Sequence, residues 1–234
     1  MTETLPRPQV IFFDVYGTIA KYSRPPRQVL ADALRSCGVQ ADPDVVFRKQ
    51  REIERQFPPH DEYPSDGEWQ YWRHYDGELL MRLGVPISQE ALDAIRHGFE
   101  ESLTVDPAPE AHASLAALKA AGATLGIISN SNFGVRRDLA RMDLARYFDP
   151  IVFSQAVGAR KPDPHLFLVA LSKVGCPPTR AWMVGNDPNT DVRGARGVGM
   201  VPILVDASGE SDPSATTVVS SLHEVVDLYE TSEP

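Results

Sequence analysis

Four apolar residues in a row, Val10-Ile-Phe-Phe13, followed at once by Asp14, constrain this chain more than any other stretch. A run that is apolar at every position, not at alternate ones, suits a strand covered on both faces, as at the centre of a parallel sheet. Gly17 then supplies the backbone freedom for a sharp turn. An acid at the carboxyl end of such a strand stands where open α/β sheets form their ligand crevice. Alone, Asp14 reads equally well as a turn cap. Its meaning depends on what the other strands end in.

From Pro109 the pattern alternates between strand and helix, as a doubly wound sheet requires. An Ala/Leu-rich helix runs to Gly122, and strand Thr124–Ile128 ends at Ser129-Asn130. A helix near Val135 to Arg146 and a strand at Ile151–Phe153 follow. Lys161-Pro-Asp-Pro164 opens a helix carrying Leu166, Phe167, Ala170, Leu171 and Val174. Strand Trp182–Val184 ends in the polar loop Gly185-Asn-Asp-Pro-Asn-Thr-Asp191, and a small-residue helix leads to strand Val201–Val205. The segment from Ser208 to Thr217 reads as loop, Leu222 to Leu228 as a covering helix, and Met1 to Pro8 as a frayed lead. The expected fold class is α/β: a doubly wound parallel sheet of five or more strands with helices on both faces.

Between Asp42 and Gly98 the pattern is helical throughout. Pro25-Pro26 opens a first helix that stops at Gly38, Asp42-Pro43 a second, and Phe57-Pro-Pro-His60 breaks it. A third carries Trp69, Trp72, Leu79, Leu80 and Leu83, with the aromatic stripe read as core, and a fourth begins at Ser88. The expected division is a core domain of residues 1–18 and 101–234, with residues 19–100 as an inserted all-helical cap over the active site.

The net charge of −9, from 23 basic and 32 acidic residues, disfavours nucleic acid and membrane surfaces as partners. A small anionic substrate would need its own local positive charge. Cys37 and Cys176 have neither metal nor disulfide spacing and read as free thiols. No apolar signal segment or membrane-length run occurs, so a cytoplasmic protein is expected. Oligomeric state is left open.

Four polar groups in order, each after a strand or before a helix, turn loop residues into a pattern: Asp14-Val-Tyr-Gly-Thr18, Ser129-Asn130, Lys161 and the acidic loop to Asp191. Together they resemble the motifs of the haloacid dehalogenase superfamily, and the resemblance covers the whole chain, helical insert included. It implies that Asp14 is a covalent nucleophile, which works only if the electrophile is held in line and departing charge is stabilised. Thr18, Ser129 and Asn130 join the expected site, Ser129 and Asn130 as donors to the substrate, and Lys161 offsets the crowded acids. Asp14, Asp191, the Asn186 position and a main-chain carbonyl would hold Mg²⁺, with Tyr16 and Asp187 in the candidate metal set. Asn186 stands where the pattern usually has Asp, and Asp187 either compensates or faces solvent.

Two chemistries compete. A phosphatase uses the second Asp of the usual Asp-x-Asp-x-Thr motif to protonate the leaving alcohol and activate water. Here that position is Tyr16, and a phenol with pKa about 10 is a poor base, so phosphatase action would be impaired or confined to good leaving groups. A haloacid dehalogenase expels halide without a proton, and its motif reads Asp-x-Tyr-Gly-Thr. Arg48 lies where that family places a cap arginine on the substrate, though it reads equally as a solvated helix residue. Against dehalogenation, Pro188 replaces the Ser expected before the last acid, and Phe167 replaces a Tyr six residues after the lysine. Mg²⁺-dependent phosphate hydrolysis is therefore ranked slightly ahead of metal-independent dehalogenation, and a weakly active or non-catalytic binding protein third.

Overall fold

The computed structural model describes residues 5–54, 68–102, 104–131, 134–206 and 217–233. In chain order the strands are β1 (Val10–Phe13), β2 (Ala20–Tyr22), β3 (Val105–Pro107), β4 (Thr124–Ser129), β5 (Ile151–Phe153), β6 (Ala181–Gly185), β7 (Val201–Val205) and β8 (Thr217–Val219). The helices are α1 (Pro26–Ser36), α2 (Pro43–Glu54), α3 (Glu68–Arg82), α4 (Gln89–Ser102), α5 (Ala111–Ala120), α6 (Gly134–Arg141), α7 (Ser154–Val157), α8 (Pro164–Val174), α9 (Arg193–Val198) and α10 (Leu222–Thr231). The chain divides into two compact units, Met1–Lys21 with Asp106–Pro234, and Tyr22–Val105. Among the described residues no helix is long and apolar enough to cross a membrane.

In the first unit six described strands form one sheet in the order β5-β4-β1-β6-β7-β8. Every adjacent pair in it is parallel. β1 lies inside the sheet, Phe13 pairing with Ile127 of β4 on one side and Val184 of β6 on the other. All four of its residues are buried, as an uninterrupted apolar run demands. Val10, Phe12, Ile128, Val152 and Met183 pack on one face with Leu166, Phe167, Ala170 and Leu171 of α8 and Ala195 of α9. On the other face Trp182 meets Tyr229 of α10 edge-on at 6.4 Å, and Phe13 meets Phe148 at 6.0 Å. Each fully buried Phe or Ile here contributes roughly 1.5–3 kcal/mol. The sheet is doubly wound, and the chain leaves β1 toward β4 on one side and β6 on the other, which creates a switch point at the carboxyl ends of these three strands.

The second unit contains α1 to α4. Its core joins Leu30 and Leu34, Val46 and Ile53, Tyr71, Tyr75, Leu79 and Leu80, and Ala91, Leu92 and Ile95. Gly98 lets α4 press close to α1, since a Cβ there would lie 2.9 Å from that of Ala33. The aromatic stripe of α3 differs from expectation. Trp72 is 43% exposed while Tyr71 and Tyr75 are buried, because the i, i+4, i+8 row Tyr71-Tyr75-Leu79 faces the core.

Several local expectations change. β2 and β3 pair in a two-stranded sheet, where the pattern suggested no strand near residue 20. Residues 5–7 are tied down, not frayed: Arg7 N–H donates to the Glu233 carbonyl at 2.6 Å and Glu233 N–H to that of Leu5 at 3.0 Å. The helix expected to reach Arg146 stops at Arg141, followed by Asp143 at φ 54° and a 3₁₀ turn at Ala145–Tyr147. Thr217 begins a strand. The expected break at Phe57–His60 and the loop at 208–216 lie outside the described residues, as does the Trp69 side chain.

Candidate active site

β1 delivers Asp14 to the carboxyl edge of the sheet, its N–H still bonded to the Val184 carbonyl at 2.9 Å. The chain then folds back tightly, the Val15 carbonyl accepting from Ile19 and Ala20 at 3.1 and 2.9 Å. Gly17 is needed twice in this turn. Its φ is +93°, and a Cβ would stand 2.5 Å from Asn186 Nδ2. Thr18, buried, donates from Oγ1 to Asn186 Oδ1 at 3.2 Å. The two loops that follow β1 and β6 are thus locked together.

Lys161 is the hub. Its Nζ donates to Asp14 Oδ1 at 2.6 Å and to the Ile128 carbonyl at 3.0 Å. It also lies 2.6 Å from Asp191 Oδ1. One ammonium therefore serves two buried carboxylates and the end of β4. Burial works against its charge, but Asp14 and Asp191 more than offset that, and its pKa is raised. Burial also pushes the Asp14 carboxyl up to about 6, with Lys161 opposing and Asp191 adding to the rise.

Asn130 holds Lys161 in place from the main chain. Its Oδ1 accepts from Lys161 N–H at 2.7 Å and its Nδ2 donates to the Lys161 carbonyl at 3.0 Å. Both ends of the amide bond to the main chain of Lys161. Ser129, by contrast, is 1% exposed and its Oγ has no hydrogen-bond partner among the described residues. A buried hydroxyl left without a partner at a strand end is a donor in waiting.

Asp191 sits on a single π-helical turn, Pro188–Val192. Its Oδ2 accepts from Asp187 N–H at 3.0 Å. Gly185 makes room for it, because a Cβ there would fall 2.2 Å from that oxygen. Asp187 has a structural task instead of the expected ligand role: its Oδ1 caps this turn, accepting from Asn189 and Thr190 N–H at 2.8 and 3.2 Å. Tyr16 also differs from expectation. Its hydroxyl donates to Asp138 Oδ2 on α6 at 2.9 Å, a partner 122 residues away that no motif announces. Arg48 is an exposed residue of α2 in the second unit. Lys49, Arg82 and Arg48 together hold the Glu52 carboxyl below its usual range, Lys49 through a direct hydrogen bond.

Comparison with known proteins gives the family. The sequence pattern of the haloacid dehalogenase-like hydrolases matches residues 8–199. The chain belongs to this hydrolase family. It is 29% identical over 213 residues to a glyceraldehyde 3-phosphate phosphatase of Methanothermobacter thermautotrophicus, covering 85% of this chain and 86% of that one. It is 27% identical to the mouse haloacid dehalogenase-like hydrolase domain-containing protein 3, with 97% and 96% covered. An L-2-haloacid dehalogenase from Xanthobacter autotrophicus shares the fold at TM-score 0.70, with 19% identity and 97% and 100% covered.

Whether the donors of this hydrolase suit a divalent cation follows from their chemistry. Among the described residues no group of three or more His, Cys, Asp or Glu side chains has metal-site spacing. Asp14 and Asp191 remain, with the amide oxygen of Asn186 beside Thr18. Mg²⁺ commonly takes one or two carboxylates, keeps several waters and shares the substrate's phosphate oxygens. Two hard carboxylates are compatible with that demand. Asp14 Oδ1 is held by Lys161, and the Val15 N–H also bonds to this carboxylate.

Proposed function

We propose that this hydrolase is a phosphatase for a small phosphorylated metabolite, acting through an aspartyl-enzyme intermediate at Asp14. The observation that carries the reading is the anchored nucleophile: Lys161 fixes one Asp14 oxygen at 2.6 Å, and the Val15 N–H also bonds to this carboxylate. A carboxylate so held needs no reorganisation before attack. Ser129 Oγ, buried and unpartnered, is suited to donate to an anionic oxygen of the substrate. The named phosphatase among the relatives supports a phosphoryl group as that anion.

Asp14, Asp191 and Asn186 are the residues that would hold Mg²⁺, which offsets the charge of a phosphoryl group against the acids. The chain's own residues do the rest. Asp14 supplies the nucleophile, Lys161 holds its position and charge, and Asn130 holds Lys161. Phe167 also favours this reading over dehalogenation. It is fully buried, and its ring lies where a Cβ on Gly194 would come within 2.4 Å, so the position resembling the dehalogenase Tyr is core.

Dehalogenation is kept as the second reading because of Tyr16, whose proton is already given to Asp138, and halide departure needs none. The test is a panel of phosphomonoesters and 2-haloacids, assayed after chelation and again with Mg²⁺ added. Phosphate release restored by Mg²⁺ is expected. Halide release at full rate in chelated protein would overturn the phosphatase reading.

A further inference from the structure

Tyr16 occupies the position two residues beyond the nucleophile, from which a phosphatase of this family would protonate its leaving group. A phenol has one proton. Here it is donated to Asp138 Oδ2 at 2.9 Å, across a contact that is partly buried, with the Asp138 side chain 15% exposed. A hydrogen bond from a neutral donor to a carboxylate is among the stronger kinds. Arg137 also approaches Asp138, its Nε standing 3.6 Å from Oδ1, on the opposite oxygen from the one Tyr16 uses. That guanidinium leaves Oδ2 to the phenol. Giving the proton to a leaving alcohol would strand a phenolate against a carboxylate, two like charges in contact.

We infer that Asp138 is a positioning residue that withholds the Tyr16 proton, so that this site takes phosphoryl donors whose leaving group departs as a stable anion: acyl phosphates and aryl phosphates, not alkyl phosphates. The inference rests on the phosphatase reading and narrows it to a substrate class. The steps balance without a protein acid. An Asp14 oxygen attacks phosphorus and the bond to the leaving oxygen breaks, its electron pair going with the carboxylate or phenolate. Water then attacks the same phosphorus, the Asp14–phosphorus bond breaks, and both water protons leave on the phosphate as dihydrogen phosphate. Asp14 is returned as carboxylate.

General acid assistance is typically worth 10²–10⁴-fold, so its lack has a measurable signature. The full-length protein with Mg²⁺ is given acetyl phosphate, para-nitrophenyl phosphate, phenyl phosphate and ethyl phosphate, and kcat/KM is plotted against leaving-group pKa. The expected result is a steep fall toward the alkyl ester, through kcat more than KM. Tyr16→Asp is expected to restore an acid and raise the ethyl phosphate rate by 10²-fold or more relative to the aryl esters. Asp138→Ala, which frees the phenol proton, and Asp138→Asn, which removes the charge a phenolate would face, are both expected to flatten the plot in the same direction. A flat plot in the native protein would overturn the inference and leave the phosphatase reading standing. Identical plots for Asp138→Ala and the native protein would overturn the role of Asp138. No phosphate from any of the four would overturn the phosphatase reading and the inference with it.

Discussion

Replacing Lys161 by Met removes the charge while keeping most of the aliphatic stem, so the loss isolates what the ammonium does. Its Nζ serves Asp14, Asp191 and the Ile128 carbonyl. Leaving buried charges without their partner costs about 3–5 kcal/mol. The protein has a cheaper escape, which is to protonate Asp14. Burial pushes the Asp14 carboxyl up to about 6 against the lowering effect of Lys161, so without the ammonium it rises further and binding that proton at about pH 7.5 costs at most roughly 2 kcal/mol. The stranded Ile128 carbonyl adds about 1 kcal/mol. The expected destabilisation of Lys161→Met is therefore up to about 3 kcal/mol near pH 7.5. Near pH 5.5 the proton is taken up freely, and only about 1 kcal/mol remains. Urea unfolding of both proteins at the two pH values measures this directly. A loss below about 1 kcal/mol at both, or one that does not shrink as pH falls, would refute the hub assigned to Lys161.

Three further outcomes follow from the same geometry. Asp14→Asn keeps shape and removes the proposed nucleophile, so steady-state turnover should fall by about 10⁴-fold or more while the fold is retained by circular dichroism. Because Asp14 must be ionised to attack and burial pushes it up to about 6, kcat/KM at low Mg²⁺ should fall about tenfold per pH unit below about pH 6, and saturating Mg²⁺ should move that limb lower by favouring the carboxylate. In the second unit, burial pushes the Asp76 carboxyl from 3.8 to about 7. The folded state then holds the proton longer than the unfolded one, so stability falls as pH rises from about 4 to 7, by roughly 4 kcal/mol. Asp76→Asn should gain on the native protein across that window in urea titrations, and a gap that is constant with pH would contradict it.

The strands were legible because burial writes itself into consecutive residues. Val10–Phe13, Thr124–Ser129 and Ala181–Gly185 are apolar runs closed by polar residues, and the ends of such strands in a parallel sheet share one edge. Asp14, Lys161 and Asp191 were legible as candidates for that reason, and they do meet. What stayed hidden depends on which atom a side chain reaches. Asn130 and Lys161 are 31 residues apart, and Tyr16 and Asp138 are 122 apart. No periodicity reports such pairs. Asp187 and Asp191 look alike in the loop, and only the backbone path makes one a cap and the other a charge partner. On α3 the choice of Tyr71 and Tyr75 over Trp72 as core was a choice of face, offset by one residue in an aromatic-rich helix.

The departures from the usual motifs belong together once charges are counted. Asp14 and Asp191 carry two negative charges, and Lys161 returns one, in a buried site where both carboxylates touch the same ammonium. A third carboxylate at position 186 would face Thr18 and the Gly17 turn, adding charge with no cation of the chain beside it. Asn186 instead accepts a neutral hydrogen bond from Thr18, and Asp187 turns its carboxylate to the backbone of its own helical turn. Tyr16 likewise replaces an acid with a neutral group and donates a hydrogen bond to Asp138 on α6. The Asn186 and Tyr16 changes each lower the negative charge around Asp14, which reduces the repulsion an incoming anion meets. The same changes remove the acid that would protonate a leaving alcohol. The substrate class proposed above, anions that part from an anionic leaving group, would be favoured by both substitutions, and that links Tyr16 with Asn186.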